Sequence, residues 1–182
     1  MDTSIKKAKK TPSIFVGGPI THIFKEGIFD QSLAELLDRV EEVLIKRGYS
    51  VNESYSSNNN IHSAYIYEKR GQLQPKCSKE IFDKDIKWIK VSNAAIFILP
   101  EESNGDMTRT DGTYIEIGIC YANDVPILLI SPREINGQFS PMLEGMIDDK
   151  NKVFFATNND FFQEPDIYLR KILTNNTNKS TH

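Results

Sequence analysis

Cysteine is scarce in this sequence. Cys77 and Cys120 are the only two among 182 residues, too few for a disulfide framework, and each stands in a stretch with helical patterning, so a reducing, cytoplasmic setting is expected. Histidine is nearly as rare. His22, His62 and His182 are scattered and offer no zinc spacing with the two cysteines, so neither a metal nor a cofactor is expected. Positive charge is not in excess either, and a formal net charge of -3 gives no field for a nucleic-acid polymer. Long apolar runs are missing: nothing approaches the roughly 18 residues of a membrane span, and the Lys-rich start through Ser13 is followed by no apolar signal segment. Membrane insertion and secretion are therefore not expected. The patterns G-x-x-x-x-G-K-[ST] and G-x-G-x-x-G are both absent, so neither a P-loop NTPase nor a Rossmann dehydrogenase is supported.

What is present suffices for one ordinary domain. A hydrophobic content of 39% over 182 residues supports a real core and leaves no room for a second catalytic domain. Residues 1–12 are expected to form a flexible N-terminus and 13–173 a single α/β domain, with 174–182, polar and rich in Asn and Thr, as a disordered tail.

Ser13 to Gly18 is an apolar run ended by glycines, read as a buried strand feeding the loop Gly17-Gly18-Pro19-Ile20-Thr21. From Asp30, residues Leu33, Leu36, Leu37, Val40, Val43 and Leu44 follow helical spacing, with Ser32 and Glu35 spaced as a capping box and Gly48 placed to close the end. Tyr49 to Val51 reads as a short strand, and the stretch through Asn60 as loop. Ser78 can cap a helix with Ile81, Phe82, Ile86 and Ile89 inward, followed by a strand from Ala94 to Leu99. Gly112 to Ala122 is apolar nearly all round, as in a buried helix, and Val125 to Ile130 is a strand after the Asn123-Asp124 turn. Ser140-Pro141 has the signature of an N-cap with proline behind it; Val153 to Ala156 then predicts a last strand, before a helix through Leu173. Strands alternating with helices predict a doubly wound, flavodoxin-like, mostly parallel five-stranded sheet with helices on both faces.

Such a sheet binds ligands beyond the carboxyl ends of its strands. Glu116 falls there, in the first turns of an otherwise apolar helix, where a carboxylate faces a large desolvation cost. The helix amino end can compensate it and keep it ionised as a nucleophile, or Glu116 simply caps its helix or pairs with a lysine. Asp85 lies on the inward stripe of its helix, as an active-site acid or as a boundary residue reaching solvent. Asp111, directly before Gly112, suits an N-cap, which does not exclude chemistry.

Three stretches carry a resemblance: Ile14-Phe15-Val16-Gly17-Gly18-Pro19-Ile20-Thr21, Asp85-Ile86 ahead of Ser92-Asn93-Ala94-Ala95, and Asp111-Gly112-Thr113-Tyr114-Ile115-Glu116-Ile117-Gly118. Over Ile14 to Ile147 the sequence resembles the nucleoside 2-deoxyribosyltransferase superfamily, which includes nucleoside 5′-monophosphate N-glycosidases. The resemblance implies that Glu116 attacks C1′, with Asp85 and Asp111 as acidic partners, and that Gly18, Pro19, Ile20 and Phe24 border the sugar and base. Arg109-Thr110-Asp111-Gly112-Thr113 is similar to the cytidylate and hydroxymethylcytidylate hydrolases, and Ser140-Pro141-Met142 resembles their Ser-x-Met, where transferases tend to carry Asn-x-Met. It implies a homodimer or larger homo-oligomer in which Ser140 and Met142 complete the neighbouring subunit's pocket, Ser140 helping to hold the 5′-phosphate, where Arg109 can add charge. The animal-type monophosphate hydrolases carry Ser and Arg in the first loop, where this chain has Pro19 and Thr21. The expected activity is hydrolysis of a CMP-type monophosphate to base and sugar phosphate, through a glycosyl ester on Glu116. Deoxyribosyl transfer between bases and a non-catalytic nucleotide-binding module remain as alternatives.

Overall fold

The computed structural model describes residues 12–19, 31–51, 60–65, 78–101, 105–108, 111–134, 137 and 139–174. In chain order the elements are β1 (Ile14–Gly17), α1 (Gln31–Ile45), β2 (Ser50–Val51), β3 (Asn60–His62), α2 (Ser78–Val91), β4 (Ala94–Ile98), α3 (Asp111–Ala122), β5 (Ile127–Ser131), α4 (Pro141–Ile147), β6 (Val153–Thr157), α5 (Asn158–Gln163) and α6 (Pro165–Thr174). The expected flexible start and most of the expected tail lie outside the described residues, as do Ile20, Phe24, Cys77 and Arg109; Thr174 closes α6 instead of opening the tail.

All described strand pairings are parallel, in the order β2-β3-β1-β4-β5-β6. The doubly wound α/β fold is thus as expected. Five main strands, β3-β1-β4-β5-β6, follow the flavodoxin order, and the two-residue β2 adds an edge beside β3. The strand read at Tyr49 to Val51 is this edge. Its neighbour β3 fell within and just past the stretch read as loop, because Asn60 and His62 flank a single apolar residue, Ile61, too short a pattern to identify a strand.

Period-two alternation divides the core. Ile14, Val16, Ile96, Ile98, Leu128 and Ile130 face α1, α5 and α6 through Leu37, Val40, Leu44, Phe161, Leu169 and Ile172. Phe15, Ala95, Phe97, Ile127 and Leu129 face the opposite layer, where Trp88 and Ile89 of α2, Ile117 and Cys120 of α3 and Leu143 of α4 cover them. Burial on both faces explains why β4 and β5 read as continuous apolar runs.

Helix ends follow local chemistry. After α1, Gly48 adopts φ +86°, its N–H reaching Ile45 O while Tyr49 N–H reaches Leu44 O at 3.2 Å, a left-handed close that suits glycine. After α3 the same pattern uses Asp124 at φ 56°, with Val125 N–H donating to Cys120 O. Ser140 caps α4 with Pro141 behind it, as expected.

Four expectations need correction. Ser32 lies inside α1, since the helix already begins at Gln31, so the capping-box spacing is displaced into the first turn. The single helix expected through Leu173 is two, because Pro165 lacks the N–H to continue α5 and starts α6 instead. On α2 the buried residues are Asp85, Trp88 and Ile89, whereas Ile81 and Phe82 stand in the exposed first turn, before the helix meets the sheet. And α3 is not buried all round: it packs through Thr113, Ile117 and Cys120 and leaves Ile115 54% exposed, with no described element covering that side.

Candidate active site

The strand order reverses between β1 and β4: chain segments after β1 build outward through β3, those after β4 through β5 and β6. At such a point the loops above the carboxyl ends diverge and leave a crevice. β1 ends at Gly17, whose register partner on β4 is Phe97. A Cβ built on Gly17 would lie 2.6 Å and 2.7 Å from the Phe97 ring and 2.9 Å from Glu116 Oε2. Glu116 therefore reaches from the second turn of α3 to the end of β1, at the crevice itself.

Asp85 approaches from α2, which packs against α3. Both carboxyls are perturbed in the same direction. Burial pushes Glu116 up to about 8, with the nearby Asp85 charge adding to the rise. Burial likewise lifts Asp85 to about 7, against a smaller opposing pull from Lys84. The expectation that the helix amino end keeps Glu116 ionised is thus reversed near neutrality. Glu116 stands five residues beyond the start of α3, past the first turn within which the dipole acts, so desolvation outweighs it. The Asp85 charge acting on Glu116 makes the protonation of one carboxyl bear on that of the other.

Asp111 is not part of the pair. It is exposed at the first position of α3, and over five residues the helix turns by about 140° beyond one revolution, so Asp111 and Glu116 do not share a face. Gly18 and Pro19 are buried beyond β1. A Cβ on Gly18 would make only ordinary contact, 3.6 Å from Ile98 O, so the packing requirement falls on Gly17, which the sequence analysis had not singled out.

Ser140 is exposed, its hydroxyl accepting from Leu143 N–H at 3.5 Å, and Met142 is 87% exposed. The neighbouring Phe139 ring meets Tyr114 of α3 edge-on at 6.2 Å, which holds the start of α4 on the α3 side of the crevice.

One further polar group belongs to this layer and was missed. His62, at the end of β3, pairs in register with Phe15 and so points to the face covered by α2 and α3. It is fully buried, stacks on Trp88 at 5.9 Å between ring centroids and 16° between planes, and has no hydrogen-bond partner for either nitrogen among the described residues. Burial lowers its pKa to about 4, so the ring is neutral at physiological pH. Trp88 is one helical turn from Asp85, which brings the imidazole to the same side of α2 as the carboxyl pair. Among the described residues no group of three or more His, Cys, Asp or Glu could hold a metal ion, and no described helix is long and apolar enough to cross a membrane.

No protein-family model matches the sequence, and no curated protein matches it. Solved structures do. The chain is similar in fold to BlsM. The likeness to that solution structure has a TM-score of 0.61 and covers 96% of this chain and 99% of BlsM at 17% identity. The Clostridium botulinum CMP N-glycosidase BcmB matches with a TM-score of 0.48 at 15% identity, covering 86% of this chain and 98% of that one. The apo form of the NADH:FMN oxidoreductase EMOB matches at 0.41 and 13% identity, over 94% of this chain and 92% of that one. At such identities the BlsM likeness is one of architecture, and function has to be argued from the site.

Proposed function

We propose that the protein cleaves the N-glycosidic bond of a pyrimidine nucleoside 5′-monophosphate of the CMP type, releasing free base and sugar phosphate. The observation that carries this reading is the buried Asp85–Glu116 carboxyl pair at the strand-order reversal, with Glu116 laid against Gly17. Holding two carboxyls out of water costs stability, and such groups concentrate where protons are moved. The motif resemblance through Asp111 to Gly118 supplies the reaction class.

A pair that shares one proton provides both halves of the first step. The ionised Glu116 oxygen forms a bond to C1′ as the C1′–N bond breaks, and its electrons leave with the base. In the reactive form the pair's single proton sits on Asp85, the minor of its two placements because Glu116 is the more basic carboxyl, and passes from there to the base, with Asp111 at the rim as a second acid. His62, neutral and unpartnered in its hydrogen bonding, offers one donor and one acceptor on the base side. Water then attacks C1′ of the glycosyl ester, its hydroxyl stays on the sugar, and its proton returns to the pair, as in retaining glycosidases. In this reading Ser140 acts at the 5′-phosphate bound in a neighbouring copy and Met142 helps complete that copy's pocket, with Arg109 adding charge.

The depth of Glu116 favours one alternative. A buried ester is poorly reached by water, and a second base could take the sugar instead, which is deoxyribosyl transfer. Incubation with a panel of nucleosides and their 5′-monophosphates, with and without a second base, followed by chromatography, separates the two. Free base from CMP-type monophosphates supports the hydrolase; base exchange on bare deoxynucleosides replaces it with the transferase; release from neither overturns both.

A further inference from the structure

Between β4 and α3, Glu101 and residues 105–108 fold back against each other. Glu101 and Met107 pair as an isolated antiparallel bridge, and Thr108 N–H donates to Pro100 O at 2.8 Å. Gly105, at φ +85°, belongs to the bend, and Met107 is buried in the α2–α3 layer. Three residues beyond Thr108 the chain enters α3, so residues 105–108 stand next in sequence to the start of the Glu116 helix.

Arg133, two residues past β5, crosses to Glu101 and Gly105. Its Nε lies 2.6 Å from Glu101 Oε1, and its Nη2 donates to Gly105 O, so one guanidinium grips the carboxylate on the outgoing strand and the carbonyl at the bend. The chain is bent to allow it. The buried Ser131 hydroxyl donates to Arg133 O, tying the turn after β5 to the strand end. The rigid planar fork of arginine suits two acceptors at fixed separation; a lysine ammonium reaches them as a single point. An ordinary surface ion pair contributes little to stability, and the geometry here joins two loops at the ligand end of the sheet.

We propose that Arg133 is a positioning residue for the reaction: by holding Glu101 and Gly105 together it fixes the amino end of α3, and through it the placement of Glu116 at the end of β1. This rests on the N-glycosidase reading, and the test separates the two. In the full chain, Arg133→Ala, Arg133→Lys and Glu101→Ala are compared with wild type by amide hydrogen exchange over residues 105–118 and by kcat and KM for base release. Expected for Arg133→Ala are exchange at least tenfold faster at the start of α3 but unchanged in α1 and α6, and kcat reduced about tenfold with KM within threefold. Arg133→Lys recovers less than half of that loss, and Glu101→Ala adds little in the Arg133→Ala background. Unchanged exchange over 105–118 overturns the clamp whatever the activity. Faster exchange with unchanged kcat confines Arg133 to structure and also overturns the proposal. If wild type releases no base, the reaction assignment fails and the exchange pattern alone decides the clamp.

Discussion

Gly17 and Glu116 approach each other so closely that no side chain fits between them: a Cβ on Gly17 would stand 2.9 Å from Glu116 Oε2. The same Cβ would press on the Phe97 ring. Gly17→Ala is therefore expected to cost about 1–3 kcal/mol of stability through overpacking and to lower kcat/KM at least tenfold by moving the carboxylate. Adding Phe97→Leu relieves the ring and not the carboxylate, so thermal stability should recover more than turnover. Equal recovery of both would show that Gly17 serves packing alone.

The carboxyl pair makes stability depend on pH. Asp85 and Glu116 bind protons more tightly folded than unfolded, about 7 and about 8 against 3.8 and 4.5. Their contribution is fully present below about pH 4 and is lost as pH rises through the folded values. Asp85→Asn and Glu116→Gln should flatten that loss and be the more stable proteins at pH 8 by about 1–2 kcal/mol. Urea midpoints between pH 4 and 9 read this directly. A wild-type profile as flat as the variants' would remove the burial argument.

Turnover should follow the same pair. With one proton shared, kcat/KM is expected to be bell-shaped, rising as the first proton leaves near pH 7 and falling as the second leaves near pH 8. Glu116→Ala should abolish base release with the fold intact by circular dichroism. Asp85→Asn should lower kcat and take the alkaline limb away, since that limb is the loss of the acid's proton. A bell unmoved by Asp85→Asn would transfer the acid role to Asp111 or His62.

The phosphate end is tested at Ser140, whose exposed hydroxyl caps α4. Losing a hydrogen bond to a charged 5′-phosphate costs on the order of 1.5–3 kcal/mol, about tenfold to a hundredfold in affinity. Ser140→Ala should raise KM for the monophosphate by that factor and leave the bare nucleoside unaffected. A parallel loss on both substrates would assign Ser140 to capping. Sedimentation of the wild type checks the second copy that this reading needs.

Most of the architecture is legible in the sequence because continuous apolar runs such as Ala94 to Leu99 and helical stripes such as Leu33, Leu37 and Val40 are long enough to declare themselves. β3 is not, since three residues with polar flanks carry no period. The positions of Asp85 and Glu116 at the ligand end follow from counting along helices, but the burial of both and the effect of Asp85 on Glu116 depend on how α2 packs against α3, which no local pattern encodes. His62 and Gly17 were missed for the same reason. A histidine in a polar stretch becomes a buried neutral group only when Trp88 closes over it, and a glycine ending a strand becomes obligatory only when a carboxylate arrives from a hundred residues away.

The place of β1 also governs how the chain is made. Its first residues pair with β4, and Ser13 and Asn93, bonded at 2.9 Å, are 80 residues apart. A nascent chain thus releases its central strand with both hydrogen-bonding edges bare, and the partner on one side emerges only after α2 has been synthesised. Until then Ile14, Phe15 and Val16 are an open template for any other extended chain. Long-range pairing of this kind folds slowly, which lengthens the time for which that strand stays uncovered.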